Sequence, residues 1–225
     1  MGLFDVFKRK NNENEVATEV VNNIPSTVES SGTEVFLDLN KKSPLVLEKN
    51  QFLNLTKTSF SLSKLRAAAG WDVATRGANY DLDLCAFLYN KNNDLLEKVF
   101  YGNKRSMGVR LDGDNLTGFG DGDDENVFLN LDNVPSNVST IAICVVIYEA
   151  QSRGQCFKNV KNAYVRLVDE KENKEICKYS LTRNGGTNSA VHAVDLIRTD
   201  NGWIFKAVEE YLNGSVSTVS QTIFR

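Results

Sequence analysis

The chain has 225 residues, 41% hydrophobic and 24% charged, with 15 glycines, 3 prolines and a formal net charge of −3. Collagen-like, fibrous and wholly disordered classes are excluded, and nothing in the charge balance calls for nucleic acid. The single histidine, His192, and four cysteines without metal-ligand or redox spacing argue against zinc chemistry and for buried, reduced thiols in a cytoplasmic protein.

Met1 to Lys10 places apolar residues before its charges, the reverse of a secretory signal, and Val6 breaks the myristoylation pattern. Leu3, Phe4 and Phe7 would share one face of a short helix, read either as a docking segment for a membrane or partner or as a frayed terminus. Asn11 to Gly32 is polar, so residues 1–32 form a flexible or partner-docking arm and residues 33–225 the domain.

From Thr33 onward the pattern is strands. Short runs at Val35–Leu37, Leu45–Leu47 and Phe52–Leu55 lead to a possible helical turn over Ser63–Ala69. Tyr80–Tyr89 is continuous and aromatic-rich, and Leu95–Tyr101 returns from a turn at Asn90–Asp94. Val127, Leu129 and Leu131 alternate with polar residues, and Ile141–Tyr148 reads as a central strand. A helical turn near Glu149–Arg153 precedes strands at Tyr164–Val168 and Ile176–Leu181. Ala190–Ile197 and Trp203–Val208 flank Asn201-Gly202, whose positive φ suits a tight hairpin. Ser215–Phe224 predicts a short helix with Val216, Val219 and Ile223 inward. Many short strands predict an all-β fold, an antiparallel β-sandwich of two packed sheets with a few short helices. No apolar run reaches the ~18 residues of a membrane span.

The segment Asp112 to Glu125 holds six carboxylates and four glycines in fourteen residues, with no basic residue. Such a cluster repels itself unless a cation intervenes, and an oxygen-only donor set favours calcium over zinc or copper. Its spacing is not that of an EF-hand: Asn126 stands where the loop needs glycine and Asp132 where it needs glutamate. Asp81 and Asp83, two apart on a strand, share a face and would repel each other in the same way. The loop closing over that pair would make an ion site from two distant pieces of chain. Using Asp81 and Asp83 as a hydrolase acid and base is a weaker reading, because nothing marks a sugar cleft.

Gly70-Trp71-Asp72, Tyr80-Asp81-Leu82-Asp83, Val99-Phe100-Tyr101 and the run Gly113 to Glu125 resemble the signature of the TerD-like family of tellurite-resistance and general stress proteins. Gln151–Phe157 and Asn162–Leu167 extend the resemblance, which spans the chain from about Val35. It implies a calcium-binding β-sandwich, no known catalysis, and complexes with other TerD-like proteins or with itself, linked to the membrane. Carried over residue by residue, the metal ligands would be Asp81, Asp83, Asp114, Asn115, Gly120, Asp121, Asp123, Asp124 and Glu125, with Asp72 and Asn103 weaker candidates. Phe119 departs from the acidic or polar residue usual there, and residues 1–32 lie outside the family's usual extent. The expected protein is a non-enzymatic Ca2+ binder in the cytoplasm, peripheral to the membrane if the arm docks there. The alternative is a scaffold module recruited through that arm, with calcium as a staple.

Overall fold

The alternating runs assemble into two sheets of seven strands each. A computed structural model describes residues 32–36, 43–55, 62–73, 80–112, 122–181 and 185–225. With strands numbered in chain order, the first sheet runs β1 (Thr33–Val35), β3 (Gln51–Asn54), β14 (Gly202–Leu212), β13 (Ala190–Thr199), β10 (Thr140–Ile147), β5 (Leu82–Tyr89) and β6 (Leu95–Val99). The second runs β2 (Leu45–Leu47), β12 (Lys174–Ser180), β11 (Val160–Asp169), β4 (Lys64–Val73), β9 (Glu125–Asn130), β8 (Val109–Asp112) and β7 (Arg105–Ser106). Pairing is antiparallel except at two edges, where β1 joins β3 and β2 joins β12 in parallel. At three of the four edges, outer strands of two or three residues leave little free ladder for edge-to-edge association; β6 has five.

The sheets pack face to face over one apolar cluster. Leu82, Leu84, Ala86 and Leu88 of β5 face it together with Val127 and Leu129 of β9 and Val165 and Leu167 of β11. The opposite face of β5 is buried as well. Cys85, Phe87 and Tyr89 lie with Cys144 under the C-terminal helix, Val216–Thr222, which presents Val216 and Val219 as its spacing predicts. This two-sided burial accounts for the apolar run from Leu84 to Tyr89 in β5.

Two expectations change. Ser63–Ala69 is not helical: Lys64–Val73 is a central strand, with Leu65, Ala67, Ala69 and Trp71 alternating into the core. Its run of alanines favours helix locally, but pairing with β9 and β11 on either side overrides that preference. The β13–β14 hairpin forms, yet positive φ falls on Gly202 alone (140°), and Asp200 and Asn201 make the turn. Cys85, Cys144, Cys156 and Cys177 are free thiols, all but Cys156 buried. His192 is structural in position, buried with Nε2 2.6 Å from Asp195 Oδ1.

Candidate functional site

The Asp-x-Asp segment and the end of the acidic loop meet where the two sheets open. Asp81 and Asp83 are buried at the entry to β5, and the Tyr148 amide donates to the Asp81 carbonyl at 2.8 Å, seating the segment against β10. Glu125 begins β9 in the other sheet. It is 1% exposed, and its Oε2 accepts from the Leu84 amide at 2.6 Å. The pairing of β6 with β5 starts at Ala86, so the Leu84 amide lies beyond that ladder, and Glu125 supplies the acceptor from across the sandwich.

Asp124 does the same for the second sheet. The β4–β9 ladder ends at Ala69–Glu125; past it the Trp71 amide donates to Asp124 Oδ2 at 2.9 Å, while the Asp124 amide donates to the Ala69 carbonyl at 2.8 Å. Asp123 turns to the outer face of that sheet. Arg166 grips it with Nε on Oδ1 (2.7 Å) and Nη2 on Oδ2 (2.6 Å), and Arg66 Nη1 adds a bond to Oδ2 at 3.0 Å. The Tyr164 hydroxyl is shared between Asp123 Oδ1 (3.1 Å) and the Gly122 carbonyl (2.8 Å). Three consecutive acids therefore leave the chain in three directions.

Electrostatics mark the neighbourhood of Asp83. Burial, then the charge of Asp83, pushes the Tyr101 hydroxyl up. The Cys85 thiol is pushed up by burial first, then by Asp83, Cys144 and Glu125. The rim is aromatic, with Tyr101 edge-on to Tyr148 at 5.4 Å and Arg153 over the Tyr148 ring at 5.0 Å.

Of the nine expected ligands, Asp81, Asp83 and Glu125 are buried, and Glu125 bonds the amide of Leu84, the residue after Asp83. Asp124 is directed to the β4 edge, and Asp123 is engaged by two guanidinium groups. Asp114, Asn115, Gly120 and Asp121 lie outside the described residues. Of the weaker candidates, Asp72 is exposed and accepts from Asn162 Nδ2, and Asn103 Nδ2 donates to the Lys98 carbonyl. Among the described residues no group of three or more His, Cys, Asp or Glu side chains could hold a metal ion by itself. The described carboxylates are hard oxygen donors, the chemistry calcium selects. The arginine clamp on Asp123 had no local signal, since Arg66 and Arg166 lie 57 and 43 residues away from it.

With this geometry in place, comparison with known proteins is decisive. The TerD domain model matches residues 44–222. This chain belongs to the TerD family. It is 37% identical over 182 residues to Tellurium resistance protein TerD of Alcaligenes sp, covering 78% of this chain and 95% of the relative. It is 36% identical over 184 residues to General stress protein 16U of Bacillus subtilis (strain 168), covering 77% and 94%. A solved structure of a homologue of telluride resistance protein (TerD) from Streptomyces coelicolor A3(2) shares the fold, with TM-score 0.62 and 17% identity over 72% of this chain and 98% of that one. TerD-family membership makes this a protein of the tellurium-resistance and stress type.

Proposed function

We propose that this TerD-family chain is a non-enzymatic calcium-binding stress protein whose ion is held between the acidic loop, residues 112–125, and the Asp81-Leu82-Asp83 segment. The observation that carries the reading is the burial of Asp81, Asp83 and Glu125, the last of them at the exit of a loop rich in further carboxylates. Burying charge is costly unless it is compensated, and a hard divalent cation compensates several carboxylates at once. The holding residues are Asp81, Asp83 and Glu125 with Asp114, Asn115, Asp121, Asp124 and the Gly120 carbonyl. Calcium would supply charge neutralisation and a cross-link there, with no reaction.

Native mass spectrometry of the full chain tests this. Calcium adducts of fixed number, stripped by a chelator and reduced by Asp83→Asn, are expected. An unchanged apo mass in calcium would remove the reading.

A scaffold role is the second reading, favoured by the 43 residues that precede the family match. The arm would recruit the domain to other TerD-like proteins, to a second copy or to a membrane-associated complex, from a cytoplasmic location. No helix among the described residues is long and apolar enough to cross a membrane.

A further inference from the structure

The acidic motif suggests that every one of its carboxylates serves the ion. Asp123 does not fit that role. Its side chain is 7% exposed and accepts three guanidinium bonds and a share of the Tyr164 hydroxyl. The fork from Arg166 occupies both oxygens, the bidentate geometry that makes charge-assisted pairs strong and directional. Each arginine is in turn fixed. Arg166 Nη1 meets Glu175 Oε2 at 2.6 Å, and Arg66 Nε meets Glu170 Oε1 at 2.7 Å while its Nη1 also reaches Asn126 Oδ1 at 3.0 Å. The clamp thus ties the loop exit to β4, β9, β11 and β12, a rigid platform rather than a mobile surface pair.

We infer that Arg66 and Arg166 are positioning residues that hold Asp123 outside the ion's shell as a strut, so that Asp124 and Glu125 are aimed at the Trp71 and Leu84 amides and Glu125 is presented beside Asp83. The ion's shell rests on the calcium reading; the aiming of Asp124 and Glu125 at the two amides does not. The geometry gives a directional reason. Asp123, Asp124 and Glu125 are consecutive, so fixing the first carboxylate on the outer face sets the backbone from which the next two depart. Asp123 is then a carboxylate of the motif that is not a ligand, and the ion responds to a network on the far face of the sheet.

The test uses the full chain and the near-isosteric variants Asp123→Asn and Arg166→Gln, with Arg166→Lys as the conservative control. Hydrogen exchange in chelator reads the positioning directly. The Trp71 and Leu84 amides should exchange at least about tenfold faster in both variants, with the Val145 and Ala193 amides unchanged as core references. Arg166→Lys should restore little, since an ammonium cannot make the fork. In calcium titrations both variants should keep the wild-type number of ions with affinity weakened about 10–100-fold, the effect expected of an outer partner. Asp123→Asn combined with Arg166→Gln should weaken it by less than the sum of the two single changes, because both remove the same Asp123–Arg166 fork. Unchanged exchange at Trp71 and Leu84 overturns the strut. Loss of a whole ion in Asp123→Asn overturns it too, because Asp123 would then be a ligand. If the wild type takes up no calcium, the function proposed above falls, and amide exchange alone still decides the clamp.

Discussion

Gly70 lies where β4 passes the exit of the acidic loop. A Cβ there would sit 2.6 Å from both the Gly122 carbonyl and the Tyr164 hydroxyl, so only glycine allows this approach. Gly70→Ala should destabilise the protein by about 1–3 kcal/mol, read as a lower urea midpoint at unchanged slope. A wild-type midpoint would mean the loop exit gives way without cost. Tyr164 offers a second test at this scale. Burial, then the charge and hydrogen bond of Asp123, pushes its hydroxyl up, against a smaller opposing pull from Arg166. Burial also pushes up Tyr89, whose hydroxyl donates to the Ser220 carbonyl at 2.6 Å. The unfolded chain loses these protons near pH ~10 while the native state keeps them. Stability from these groups is therefore complete below that pH and falls as pH rises through the higher native values. A Tyr89→Phe, Tyr164→Phe variant should lose stability less steeply above about pH 10 than the wild type in denaturant titrations. The identity of the acidic residues was legible in the sequence. Their directions were not, because Arg66, Trp71 and Leu84 enter the region only through pairing.

The C-terminal helix shows how one short element protects chemistry that the chain does not use. Ser215 caps it by accepting from the Thr218 amide, and Val216 and Val219 close over Cys85, Phe87, Tyr89 and Cys144. Phe224 completes the cover, edge-on to Tyr89 at 4.8 Å and to His192 at 5.8 Å. Burial is the main reason that the Cys85 and Cys144 thiols are pushed up, which keeps them unreactive. Val219→Asp puts a charge into that cluster and should undock the helix. Cys85 and Cys144 should then react with a thiol reagent under native conditions, whereas in the wild type only Cys156 is accessible enough to react readily. Equal labelling of both proteins would show that the helix is not the barrier. This helix was readable because its apolar spacing is that of one face. β4 was misread because alanine carries no strand signature, and β7 and β8 were missed because Arg105–Ser106 and Val109–Asp112 are too short to show a period.

Across the whole molecule, Glu125 spans the sandwich, rooted in one sheet and bonded to the part of β5 in the other that β6 does not reach. An ion beside it would bind only the folded state, because its carboxylates meet only there. At a hundredfold excess over Kd, calcium should add about 2.7 kcal/mol, or about 5–10 °C in Tm for a chain of this size. Identical melting in calcium and in chelator would count against the site. Deleting residues 1–32 should leave that calcium-dependent shift intact while abolishing any assembly, as seen by light scattering; retained assembly would make the arm irrelevant to it.

Period-two alternation, turn residues and the acidic glycine motif were enough to establish a two-sheet β fold and TerD membership, because each is written in neighbouring residues. Where each described carboxylate points was decided only when the sheets packed. The ladders of β5 with β6 and of β4 with β9 stop short, exposing the Leu84 and Trp71 amides, and the arginines that claim Asp123 arrive from strands dozens of residues away. Side-chain direction at a strand end depends on which partner's edge lies beside it, and no local stretch of sequence contains that partner.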